Sequence, residues 1–120
     1  MQTVVQTPDF LADAKDAEVN QDELDDIVRF LSTHPTAGDL IKGTGGARKV
    51  RFPGRGKGKS GGYRVVTFYS GDDIPVFALN VFAKGDKVNL SQAERNELRK
   101  ELGKLADDYR RGVRNYVASG

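Results

Sequence analysis

Between Leu40 and Gly71 the chain carries Lys42, Arg48, Lys49, Arg51, Arg55, Lys57, Lys59 and Arg64, and neither an aspartate nor a glutamate. Glycines interleave these cations from Gly43 to Gly62, which confines the middle of the chain to turns and short strands. The preceding segment has the opposite sign. There Asp9, Asp13, Asp16, Glu18, Asp22, Glu23, Asp25, Asp26 and Asp39 oppose only Lys15 and Arg29. A formal net charge of +2 therefore hides a strongly polarised molecule. Cations set beside glycines let side chains and backbone amides approach a polyanion together, and this points to phosphate as the ligand.

On either side of this segment, local signals place the regular elements. Thr3 to Gln6 reads as a short strand, and Thr7-Pro8 as an N-cap with proline at the first helical position, opening a helix through about Asp16. Asn20 followed by Glu23 is a capping box; Leu24, Ile27, Val28 and Leu31 then recur at helical spacing until His34-Pro35 ends the pattern. A brief extended piece at Asp39 to Lys42 leads into the Gly43-Thr44-Gly45-Gly46 turn. Val50 and Phe52 then alternate with Lys49 and Arg51, with Arg48 on the Val50 side. Tyr63 to Tyr69 is rich in valine, threonine and aromatic residues. Ser70-Gly71-Asp72-Asp73 is a hairpin signal leading to a strand from about Pro75 to Ala83. Ser91 with Glu94 is a second capping box, and Leu98, Leu102, Leu105, Tyr109, Val113 and Tyr116 track one face of a long last helix, with fraying expected past Gly112.

The expected fold class is α+β: a small antiparallel sheet with an N-terminal helical pair packed on one side and a C-terminal helix. At 120 residues it is expected to form one domain, 1–120. With no cysteine and one histidine, neither a thiolate nor an all-imidazole metal site is available; any metal would rest on carboxylates, and neither a metal nor a cofactor is expected. No apolar run approaches the roughly 20 residues that span a bilayer, so a cytoplasmic protein without a membrane partner is expected.

Gly56-Lys57-Gly58-Lys59-Ser60-Gly61 matches G-x-G-x-x-G in form, and Gly58-Lys59-Ser60 resembles the end of a Walker A loop. In either motif the loop must open a helix, whereas Tyr63 to Tyr69 reads as a strand, and Pro53 stands where Walker A needs its first glycine. The loop is better read as a flexible connection whose lysines hold a nucleic-acid backbone, against the plainer reading of a solvated charge run. Arg64 shares a strand face with Val66 and Phe68, which would fix its planar guanidinium beside packed side chains; its plainer role is an ion pair with an acid of the N-terminal helices. Lys84 follows the next strand and would lie alongside Arg64 if the two strands form a hairpin. His34 at a helix stop reads as a cap or a surface residue, and the acids of the second helix suit its N-terminal dipole.

The ordered run Ala37-Gly38-Asp39-Leu40-Ile41, Gly43-Thr44-Gly45-Gly46, Arg48-Lys49, Gly56-Lys57-Gly58-Lys59, Gly61-Gly62, Arg64-Val65-Val66 and Phe82-Ala83-Lys84 resembles the HigB branch of the RelE-like toxins of bacterial type II toxin-antitoxin systems. The resemblance runs from about Val4 to Leu98. It implies a RelE-like fold and cleavage of mRNA on translating ribosomes. A cognate antitoxin, often of helix-turn-helix type, is implied as a partner, with DNA contacted only through it. Carried over by motif, the active surface comprises Arg48, Lys49, Arg51, Lys57, Lys59, Arg64 and Lys84; Arg64 and Lys84 are expected to be the catalytic groups, and Arg48, Lys49, Arg51, Arg55, Lys57, Lys59 and Lys87 the RNA-binding ones. The sequence departs from the family after Lys84, where Gly85-Asp86 replaces the usual Asn-Glu, and it lacks an aromatic residue near the start of the last helix.

RNA carries its own nucleophile, so a protein need only align the 2′-hydroxyl, move protons and neutralise the phosphorane, which a basic cluster does without metal. The competing expectation is a non-catalytic RNA- or ribosome-binding module in which the same cations only position phosphates. A DNA regulator ranks last, because no candidate recognition helix is basic in its first turns.

Overall fold

The computed structural model describes residues 1–53, 62–83 and 90–119, the last of these from 113 onward as helix backbone. The elements follow in the order β1 (Val4–Gln6), α1 (Pro8–Asp16), α2 (Gln21–Thr33), β2 (Asp39–Leu40), β3 (Ala47–Pro53), β4 (Gly62–Phe68), β5 (Val76–Ala83) and α3 (Gln92–Ser119). Each helix starts where its sequence signal stands. The Thr7 hydroxyl accepts from the Phe10 amide at 3.2 Å. In α2, Asn20 Oδ1 accepts from the Glu23 amide at 2.8 Å and Glu23 Oε1 from the Asn20 amide at 3.1 Å. Ser91 and Glu94 exchange the same pair of bonds at 3.1 and 3.0 Å ahead of α3. His34 caps the C-terminus of α2 and stacks on Phe30 with centroids 4.7 Å apart. The last helix spans Gln92–Ser119.

The five strands form one sheet in the order β1-β5-β4-β3-β2. Strands β2 to β5 pair antiparallel, but β1 lies parallel to β5, so the sheet is mixed and not wholly antiparallel as the sequence suggested. Two helices separate β1 from the rest, and this long connection returns the chain to the sheet without the reversal a hairpin imposes. Thr7 fixes the junction: its hydroxyl donates to the carbonyls of Ala78 and Leu79 at 3.0 and 3.2 Å while it caps α1. Beyond Gln6 the β5 edge is uncovered by strand, and Asp13 of α1 takes over, accepting from the Val81 amide at 3.3 Å and from Asn80 Nδ2 at 3.0 Å.

Each face of the sheet has its own core. Val50, Tyr63, Val65, Val76, Ala78 and Val81 pack against Phe10 and Ala14 of α1 and Ile27 and Leu31 of α2. Ala47, Val66, Phe68 and Phe77, with Ile74 of the preceding loop, pack against Leu102 and Ala106 of α3. In β5 the first face takes Val76, Ala78 and then Val81, a break in strict alternation. The register explains it: Val66 pairs with Asn80 and Thr67 with Ala78, so one extra residue bulges out and the parity changes.

Tyr63 ties the two layers beneath the helical pair to the sheet. Its buried hydroxyl donates to Glu23 Oε1 at 3.2 Å, and Glu23 is itself only 5% exposed. Burial, and then the charge of Glu23, push the Tyr63 pKa above its ordinary value of 10.0. The folded-state pKa is raised, so this contribution is complete below the ordinary tyrosine value and is lost as pH rises from there through the raised folded-state value. Tyr63→Phe is expected to lower stability by about 1.5 kcal/mol at neutral pH, the scale of a hydrogen bond to a charged acceptor. Urea titrations of both proteins should converge as the pH climbs above the ordinary tyrosine range; a constant difference would show that the phenol and Glu23 are not coupled.

Candidate nucleic-acid interface

Strand alternation divides the cations of β3 between the two faces of the sheet. Val50 belongs to the core under α1 and α2, so Arg48 shares that side, and its guanidinium donates to the Gly38 carbonyl at 3.4 Å. Ala47 belongs to the core under α3, so Lys49 and Arg51 project on the α3 side. On β4 the same parity sends Arg64 to that side with Val66 and Phe68, as its sequence position suggested. The register sets Arg51 directly opposite Arg64, and Phe82 of β5 is the other neighbour of Arg64.

Two like charges placed directly opposite across a strand pair destabilise it unless something of opposite sign compensates. Within the described chain nothing does: none of Lys49, Arg51 or Arg64 makes an ion pair or side-chain hydrogen bond with another described residue. The ion pair between Arg64 and an acid of the N-terminal helices is therefore not formed, and the reason is topological. Those helices pack on the opposite face, carrying the exposed Asp9, Asp16, Asp22 and Asp25 with them. The polarity of the sequence becomes a polarity of the two sheet faces.

The long helix leaves room for this patch by covering the other end. Its Leu102 and Ala106 pack on Ala47, Phe68 and Phe77, and Tyr109 meets Phe77 edge-on with centroids 6.0 Å apart. Arg110 clamps Asp73 in the β4–β5 loop with bonds of 2.6 and 3.2 Å, which holds the Asp73 carboxyl below the usual carboxylate range. These contacts lie where β3 begins and β4 ends. At the opposite end Arg51 is exposed, while Lys49, Arg64 and Phe82 are half-buried.

Arg55, Lys57, Lys59, Lys84 and Lys87 lie outside the described residues. The described ends of their segments nonetheless converge. Pro53 pairs with Gly62 on either side of the Gly/Lys loop, and Ala83, the residue before Lys84, pairs with Tyr63. The Gly/Lys loop opens into β4 and not into a helix, as the rejection of both nucleotide-binding motifs required. No group of three or more metal-binding side chains occurs among the described residues, and no helix among them is long and apolar enough to cross a membrane.

Fold and patch together define a small α+β protein with an acidic helical layer on one face of its sheet and the cations Lys49, Arg51 and Arg64 on the other. The model of the RelE toxin of the RelE/RelB toxin-antitoxin system matches residues 2–118, and the chain belongs to that family. It is thus the toxin member of a toxin-antitoxin pair, in a family known for mRNA-cleaving toxins that pair with an antitoxin and act on ribosomes and mRNA.

Proposed function

We propose that this protein cleaves mRNA on translating ribosomes as a member of the HigB branch. The carrying observation is the Arg51–Arg64 pair, directly opposed, without an acidic partner among the described residues, on the face turned away from the acidic helices. Such a pair is stabilised by a bound phosphate, and a messenger strand supplies one at each linkage.

In this reading the 2′-oxygen attacks the adjacent phosphorus, the bond from phosphorus to the 5′-oxygen breaks, and a 2′,3′-cyclic phosphate and a 5′-hydroxyl result. Arg64, fixed by its strand, bonds the non-bridging oxygens as negative charge grows on them. Lys84 serves proton transfer or neutralises charge. Lys49, Arg51, Arg55, Lys57, Lys59 and Lys87 hold the strand, and Arg48, on the other face, adds to the attracting field. The chemistry needs no metal or cofactor, and translation places it in the cytoplasm. A cognate antitoxin, of helix-turn-helix type, is the neutralising partner, and DNA is reached only through it.

Added to a translating extract, the purified protein is expected to cut a reporter message inside its coding region. Fragments should carry 5′-hydroxyl ends, read by primer extension and by phosphorylation with and without prior phosphatase. Cuts in the coding region that disappear when initiation is blocked support the reading. An intact message in the presence of folded, ribosome-bound protein removes the enzyme and leaves a non-catalytic RNA- or ribosome-binding module.

A further inference from the structure

The Gly43-Thr44-Gly45-Gly46 turn between β2 and β3 is built around Thr44, which is fully buried, with its hydroxyl donating to the Ile41 carbonyl at 2.6 Å and accepting from the Ala47 amide at 3.1 Å. These bonds close the turn and leave its other donors over. Gly43, Gly45 and Gly46 have φ of 84°, 76° and 126°, in the left-handed region that glycine tolerates, and none of their amides has an acceptor among the described residues. Successive amides in such a turn form a concavity suited to an anion.

Two arginines of α3 lie against this turn, and neither belongs to the cationic segment of the sequence. A Cβ built on Gly43 would sit 3.7 Å from Arg95 Cδ, and one on Gly45 would sit 3.0 Å from Arg99 Cγ. The aliphatic stems of both arginines therefore pack on the turn. Arg95 Nε is shut off from water with no hydrogen-bond acceptor, and neither arginine, nor Lys42, which precedes Gly43 in the chain, has an acidic partner among the described residues. Arg95 Nε is the one side-chain donor of this group shut off from water, where a missing acceptor is costly; Lys42, Gly43, Gly45 and Arg99 are exposed, and an oxyanion could bond to them together.

We propose that Arg95, Arg99, Lys42 and the amides of Gly43, Gly45 and Gly46 form a second phosphate-binding subsite, which holds the RNA strand away from the scissile linkage. The subsite lies on the same side of the sheet as Arg51 and Arg64, since both arginines belong to α3. From Ala47 to Arg51 the strand advances about 14 Å at the usual rise per residue, too far for one phosphate to serve both places. A backbone phosphate, with two free oxygens and no Cβ to accommodate, fits guanidinium and amide donors at a glycine turn better than an acidic side chain does. The proposal takes the identity of its polyanion from the RNA-cleaving reading above.

The test uses the full-length protein and a short single-stranded 2′-O-methyl RNA, which binds but cannot be cut at its 2′ positions. Arg95→Ala/Arg99→Ala is expected to bind about tenfold more weakly at low salt, and the slope of log affinity against log salt should shrink by roughly 0.7, the loss of about one phosphate contact. Arg95→Lys/Arg99→Lys should recover most of the affinity, which a merely structural role for the arginines would not produce. Wild-type affinity and slope in the folded alanine variant overturn the proposal. So does unchanged RNA binding accompanied by loss of the cognate antitoxin on co-purification, which assigns the surface to a protein partner. Because the probe is uncuttable, the subsite stands or falls independently of cleavage: an uncut message with arginine-dependent RNA binding rejects the enzyme and keeps the subsite.

Discussion

Arg64→Ala is expected to lose on the order of 10²–10³ in message cleavage, the scale of removing one preorganised donor to a developing oxyanion. Arg64 is half-buried on a central strand between Arg51 and Phe82, so its guanidinium has little freedom to lose when the phosphorane forms. Its side chain makes no ion pair or hydrogen bond with any described residue, and its removal should change unfolding free energy by no more than about 0.5 kcal/mol. Ribosome affinity should fall only a few-fold, because the remaining cations still meet the phosphate backbone. Arg64→Lys should recover little cutting, since a lysine places a point charge where a planar fork is needed. Primer extension on a translated reporter and pelleting with ribosomes measure the two quantities. Equal losses in both would make Arg64 a binding residue and favour the non-catalytic module.

Elements with a signal inside a few residues were legible in the sequence. The Thr7-Pro8, Asn20–Glu23 and Ser91–Glu94 caps all form, and α1 ends at Asp16 as its pattern indicates. The antiparallel pairs joined by short turns were legible for the same reason, since a hairpin fixes its own orientation. The parallel placement of β1 was not, because three residues carry no mark of a partner more than seventy positions away. The bulge at Leu79 was equally silent: Val76, Ala78 and Val81 share a face only because Thr67 pairs with Ala78, two residues before the Asn80 that pairs with Val66. At the site, period-2 spacing correctly separated Arg48 from Lys49 and Arg51 and put Arg64 beside Val66. Their assembly into an opposed pair required the β3–β4 register. Arg95 and Arg99, the arginines of the subsite proposed above, do not stand out in a search for runs of cations, because they are interspersed with Glu94, Glu97 and Glu101 on a helix. Their spacing of four residues on the side of the helix that carries Leu98 and Leu102 was the available signal.

Phe10→Ala is expected to cost about 3–5 kcal/mol, the range for truncating a buried phenylalanine. Phe10 is fully buried and belongs with Ala14, Ile27, Leu31, Val65 and Val76 to the core on the acidic side of the sheet. Domains of this size have only about 5–15 kcal/mol to lose, so the variant should stay folded in the cold and lose a substantial part of its population on warming. In the molecules that remain folded, β4 stays paired with β3 on one side and β5 on the other, so the strand that carries Arg64 keeps its place. Toxicity should therefore fall through abundance, with activity per folded molecule nearly unchanged in the cold, whereas Arg64→Ala should be abundant and inactive at every temperature. Urea unfolding gives the first quantity, and cleavage normalised to the folded fraction gives the second. A loss below about 1 kcal/mol would mean that the helical layer closes over the cavity, a collapse that the packing of Phe10 against both helices and sheet does not allow.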